Sequence, residues 1–188
     1  LKWLARHQGP DGGWGAENFG NQCVGGKCGG PGERDYDTGG TATSLLAFLG
    51  AGYSQLSKDE YPDPANPGRM LRFGEVVKKG LQWLLSHQDP EGCIGERGMK
   101  YMYNHTVAAL CLSEAYGMTA SQPLKEPAQK AIDFTVAAQN PGKAWRYSAK
   151  CGDNDTSVTG WAVMALKSGE LSELSFPRTA YDAAINWL

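Results

Sequence analysis

One phrase recurs along the chain and constrains its fold more than any other feature. Leu1-Lys-Trp-Leu-Ala-Arg-His-Gln8 runs into Gly-Pro-Asp-Gly-Gly-Trp14, and Leu81-Gln-Trp-Leu-Leu-Ser-His-Gln88 runs into Asp-Pro-Glu-Gly-Cys-Ile94. Ile132-Asp-Phe-Thr-Val-Ala-Ala-Gln139 runs into Asn-Pro-Gly-Lys-Ala-Trp145, and Ile185-Asn-Trp-Leu188 opens the phrase once more. Like units of this kind stack, because one unit alone cannot bury its apolar face. The aromatic anchors Trp3, Trp83, Phe134 and Trp187 recur at roughly fifty-residue intervals, with about thirty extra residues in the first. The spacing predicts repeats over 1–79, 80–130 and 131–184, with a fourth beginning at 185, in one repeat domain spanning 1–188.

Each repeat reads as two helices. The first is amphipathic, as in Leu81, Leu84 and Leu85, and stops at a Gln followed by a Pro/Gly/Asp turn. The second follows an Asp or Asn suited to capping: Asp37, Asn104 and Asp155. These second helices are small-residue-rich and apolar over most of their circumference, which predicts a buried inner layer, while Lys2, Arg6, Lys78 and Lys79 keep the first helices wet on one face. Stacked αα-hairpins of this pattern make a solenoid or a closed ring, an all-α fold.

A net charge of −2 and a pI near 5.9 give no footprint for a phosphate backbone, so nucleic acid is not an expected partner. No apolar stretch approaches the roughly twenty residues that span a bilayer, so no transmembrane segment is expected.

The phrase resembles the QW repeat of the squalene–hopene cyclase, oxidosqualene cyclase and protein prenyltransferase β-subunit superfamily, where an aromatic-Leu pair precedes Gln and then Gly-x-Trp. Trp3-Leu4, Gln8 and Gly12-Gly13-Trp14 match in full; Trp83-Leu84, Gln88 and Gly92-Cys93-Ile94 lack the last Trp; Phe134, Gln139 and Gly142 to Trp145 match nearly. The resemblance implies an α/α toroid with inner and outer helix layers. It also implies that Gln8, Gln88 and Gln139 bind a neighbouring helix and that Trp14 and Trp145 stack on their turns. Family toroids close with more hairpins than this chain supplies. A partial ring is therefore expected, completed by the rest of a parent chain or by a second copy.

In such rings the inner helices start at one mouth of a central cavity. This places Asp35, Tyr36, Asp37 and Thr38 in a collar with Tyr101, Tyr103, Asn104 and His105, and with Asp153, Asn154, Asp155 and Thr156. Family cyclases protonate an alkene with the middle Asp of Asp-x-Asp-Asp-Thr, a strong acid in a dry cavity lined by aromatic rings. Here the stretches read Asp35-Tyr36-Asp37-Thr38 and Asp153-Asn154-Asp155-Thr156, so Tyr or Asn stands where the donor belongs, and neither protonates an unactivated alkene. The candidate catalytic residues are then Asp35, Asp37, Asp153, Asp155 and His105, with Tyr36, Tyr103, Asn104, Glu114, Tyr147 and Trp161 lining a cavity for an isoprenoid-like ligand. In sequence register His105 takes the place of Thr38 and Thr156, and Glu114 that of Ala47 and Ala165. The competing reading makes Asp37 and Asp155 helix N-caps in a non-catalytic module that binds an apolar ligand or a protein.

Five cysteines complete the inventory. Cys23 and Cys28 lie in a Gly-rich insertion that would be loose without a staple, and an oxidising compartment would join them as a disulfide. Half of a zinc site is the rival, but with no second Cys/His pair at ligand spacing, no metal and no cofactor are assigned. Cys93 lies in Gly92-Cys93-Ile94-Gly95-Glu96-Arg97, which lacks the Gln a thioester requires, and Cys111 reads as core. His7 and His87 hold equivalent places beside Gln8 and Gln88, which suggests packing at helix ends.

Overall fold

Each Gln of the repeated phrase follows a helix, at its C-cap or two residues past its end, and holds the next turn by two hydrogen bonds, one to the turn and one to the next helix of its kind. Gln8 Nε2 donates to the Gly12 and Val76 carbonyls, both at 2.8 Å. Gln88 Nε2 donates to Gly92 at 3.2 Å and Pro127 at 2.9 Å, and Gln139 Nε2 to Lys143 at 3.0 Å and Ala180 at 2.8 Å. The turns themselves close by one backbone pattern: Gly9, Asp89 and Asn140 donate their N–H to Gly13, Cys93 and Ala144. Gly12 and Gly92 share a φ of +99°, and a Cβ there would lie 2.6 Å from the Lys79 carbonyl oxygen and 2.2 Å from that of Lys130. Only glycine lets the first two turns seat this closely on the next helix.

The computed structural model describes residues 1–23, 26 and 28–188, and the chain is mostly helical. Among the described residues the α-helices are α1 Lys2–His7, α2 Asp37–Gly50, α3 Phe73–Ser86, α4 Tyr101–Thr119, α5 Gln122–Ala138, α6 Thr156–Leu171 and α7 Arg178–Trp187. The strands β1 Glu60–Pro62 and β2 Met70–Arg72 form an antiparallel hairpin with Glu60 opposite Arg72. The chain divides into two compact units, Leu1–Ser86 and His87–Leu188. No helix of the described residues is long and apolar enough to cross a membrane.

In the first unit α2 packs against α3 through a stripe that includes Leu45, Phe48 and Leu49 on α2. Phe73, at the start of α3, gathers Phe48, Tyr53 and Tyr61 around it at ring distances of 5.2, 5.0 and 4.7 Å. The extra length of the first repeat is therefore split. Part precedes α2, and part forms the 51–72 connection whose hairpin carries Tyr61 onto this cluster. In the second unit the corresponding α4–α5 connection is only Ala120–Ser121, where Ala120 adopts the left-handed conformation (φ 48°) that ends α4.

The second helices differ in burial. α4 is buried around nearly its whole circumference and packs against both α5 and α6, as its apolar sequence predicts. α2 and α6 bury only a stripe, leaving Thr43 and Ala47 exposed on one and Met164 and Leu171 on the other.

Candidate functional site

The turn that follows each Gln is sealed against the second helix of its repeat, and this decides the register of the collar. Trp14 N–H donates to Thr41 Oγ1 at 2.8 Å and Trp145 N–H to Thr159 Oγ1 at 3.2 Å. Ile94 N–H donates to His105 Nδ1 at 3.1 Å. His105 is thus the counterpart of Thr41 and Thr159, not of Thr38 and Thr156 as sequence register placed it. By the same offset Tyr101 matches Asp37 and Asp155, and Glu114 matches Gly50 and Ser168 instead of Ala47 and Ala165. The sequence offset arose because the loop before α4 is the shortest of the three.

His105 is fully buried, and its tautomer is fixed by its partners. Nδ1 accepts from Ile94, so Nε2 carries the hydrogen and donates to Thr135 Oγ1 at 3.0 Å, which in turn donates to the Ala131 carbonyl at 2.8 Å. Burial holds the imidazole pKa down at about 4. It is a neutral structural bridge between turn and helix, closed to proton transfer with a ligand.

The first-unit collar is likewise committed. Asp37 is the first residue of α2 rather than its cap; its Oδ1 accepts the Ala16 N–H at 2.6 Å and so ties down the segment before the helix. Desolvation raises its pKa, opposed by the Ala16 N–H and by Arg34. Asp35 and Tyr36 sit in the 3₁₀ turn Arg34–Tyr36, exposed to solvent, while Thr38 is buried.

In the second unit Asp155 is the expected cap: Oδ1 accepts from Val158 N–H at 3.0 Å and from Ser157 Oγ at 2.5 Å. The Ser157 hydroxyl first, then the Val158 N–H, lowers its pKa. Asp153 is exposed and paired with Arg146. Asn154 Oδ1 accepts from Ala144 N–H and Asn140 Nδ2, both at 3.1 Å, serving the turn. Tyr147 donates to Asp155 Oδ2 at 3.5 Å, stacks with Tyr103 at 6.4 Å, and receives Lys100 and Arg146 over its ring at 5.5 and 5.1 Å. Asn104 is not a cap; it lies buried inside α4, whose N-cap position is Lys100. Glu114 and Trp161 are half-buried.

A recess of the first unit lies elsewhere, a cleft of ≈ 640 Å³ that includes Arg6, Arg69, Arg72, Glu75 and Lys79 in its lining. The buried Asp63 faces Arg6 at 3.9 Å and Arg69 at 3.8 Å, and its pKa is lowered chiefly by the Asn66 amide. Sequence reasoning missed this cleft, because Arg6 and the 66–79 segment meet only through the fold.

Cys23 also borders the cleft. Cys23 and Cys28 are brought together, their sulfurs 2.7 Å apart, with His7 beside both. His7 therefore does not share the setting of its repeat equivalent: His7 is buried, and His87 is exposed. Cys111 is buried in α4 as expected, and Cys93 is buried with its thiol pKa pushed up to about 12 by desolvation. Neither a scan of protein-family models nor a search of curated proteins finds a match to this chain.

Proposed function

We propose that this chain is a non-catalytic QW-type repeat module, part of an α/α toroid, that binds an acidic protein partner rather than cyclising an isoprenoid. The observation that carries this reading is that none of the four candidate acids is both dry and free of a partner. An alkene-protonating carboxyl has to stay protonated, dry and free of basic partners. Asp155 instead caps α6 and titrates low, Asp153 pairs with Arg146, Asp37 is spent on the Ala16 backbone, and Asp35 is exposed. The repeated Gln bonds to the next first helix support the toroid reading, since they propagate one hairpin onto its successor.

The partner's chemistry is read from the cleft of the first unit, lined by Arg6, Arg69, Arg72, Lys79 and Glu75, where Arg6 and Arg69 share the buried Asp63 and Arg72 pairs with Glu60, leaving a small positive excess. Such a rim attracts carboxylate-rich surfaces and repels basic ones.

Incubation with squalene and with farnesyl diphosphate, followed by lipid extraction and mass spectrometry, is expected to return both substrates unchanged. A cyclised product lost in Asp37→Asn would overturn the reading in favour of a cyclase. Salt-sensitive retention on an acidic peptide resin, weakened by Arg69→Glu, is the positive expectation.

A further inference from the structure

We infer that His7, Cys23 and Cys28 form a three-ligand site for a soft divalent cation of the zinc class. The donor atoms of the three side chains lie within 4.8 Å of one another, with His7 Nε2 at 3.3 Å from Cys23 Sγ and 3.6 Å from Cys28 Sγ.

The tautomer of His7 is what turns proximity into a site. Its Nδ1 lies 2.8 Å from the Trp3 carbonyl oxygen, which only accepts, so Nδ1 carries the hydrogen and Nε2 presents its lone pair to the two sulfurs. A ring nitrogen tied to a backbone carbonyl, leaving the other free, is the outer-shell arrangement of metal-bound histidines. The ring is also held in place: it stacks on Trp3 at 3.9 Å and is flanked by Phe19 at 6.4 Å. Cys28 N–H donates to Cys23 Sγ at 3.2 Å, a contact that favours charge on that sulfur.

The ligand chemistry selects the ion. Two thiolates and an imidazole suit zinc and its cobalt surrogate, and no carboxylate joins them, so calcium and magnesium are disfavoured. Ligands about 2.0–2.3 Å from a tetrahedral ion stand roughly 3.4–3.8 Å apart. Both nitrogen–sulfur distances already fall near that range, and the two sulfurs need to open by about 1 Å. Binding forms two metal–sulfur bonds and one metal–nitrogen bond and releases both thiol protons, with no change of oxidation state. The fourth position is left to water or an exogenous ligand, and Cys23 is shared with the cleft wall.

The test uses the full chain, stripped with chelator under reducing conditions and titrated with Co(II). Expected are sulfur-to-cobalt charge-transfer absorption and four-coordinate d–d bands that saturate at one equivalent and are displaced by Zn(II). Cys28→Ser and His7→Ala should each weaken binding beyond the roughly 10–100-fold that loss of an outer-shell partner costs, while Cys151→Ser leaves it unchanged. Circular dichroism of the metal-free variants separates loss of a ligand from loss of fold, and Cys28→Ser removes a ligand outside the helices. Absence of the thiolate bands, saturation unaffected by Cys28→Ser, or peptide mapping that finds Cys23 and Cys28 already joined as a disulfide after purification without reductant would each overturn the inference.

Discussion

The turn at Trp145 and the turn at Ile94 have the same backbone hydrogen bonds but are sealed by different chemistry. At Trp145 a fully buried indole donates to the Thr135 carbonyl at 2.7 Å, while Thr159 takes the turn N–H; Trp14 does the same with Leu4 and Thr41. At Ile94 no indole is present, and an imidazole on α4 takes the turn N–H and reaches Thr135 with its other nitrogen. A second exchange accompanies the first. The Trp83 indole bonds Asp11 in the turn of the preceding repeat at 3.0 Å, whereas Phe134 has no side-chain N–H, and Arg97 lies over its ring at 4.9 Å while bonding Asp89 and Glu91 at 2.5 and 2.7 Å. The repeat preserves a set of hydrogen-bonding tasks, and residues trade places as long as the turn N–H is met.

The largest test of this comparison is Trp145→Ala, which removes both the fill and the indole bond and should cost about 3–5 kcal/mol in chemical denaturation. Gly92→Ala should cost about 3 kcal/mol, because the new Cβ meets the Lys130 backbone in a left-handed conformation. The His105 turn should be sensitive to mild acid. Below about pH 6.5 the unfolded histidine takes up a proton that the folded one refuses until about pH 4, so stability falls as pH drops through that window, by up to about 1.4 kcal/mol per pH unit. His105→Gln keeps an acceptor for Ile94 and a donor for Thr135, and pH-dependent denaturation of this variant should be flatter across the window. The smallest expected effect is Asp155→Ala, about 1 kcal/mol near neutral pH for loss of a cap. Because the folded carboxyl titrates low, that contribution is present above the unfolded pKa and fades as pH falls through the folded one. A midpoint shift between wild type and variant that does not shrink in acid would assign Asp155 another role.

Much of the fold was legible because periodicity is local. Helix ends at Gln8, Gln88 and Gln139, the paired helices, the cap at Asp155 and the deeply buried α4 all follow from residue type and spacing along one stretch of chain. Places where the reading failed involve comparing stretches of unequal length. His105 was matched to Thr38 and Thr156 because loops were aligned by their polar residues, whereas the hydrogen bonds align them by the turn N–H each has to satisfy. Asp37 looked like a cap in the one repeat where an inserted segment offers its side chain a different donor, Ala16 N–H.

The sequence by itself determined a mostly helical chain, the turns between its paired helices and the buried α4, since these depend on apolar period and on backbone demands met within a few residues; the β1–β2 hairpin was not among them. Only the tertiary structure decided which acids were free for chemistry and which side chains met. The bond from Ala16 to Asp37, the cleft between Arg6 and the 66–79 segment and the approach of His7 to Cys23 and Cys28 each join segments distant in sequence, and no periodicity encodes a distance across a fold.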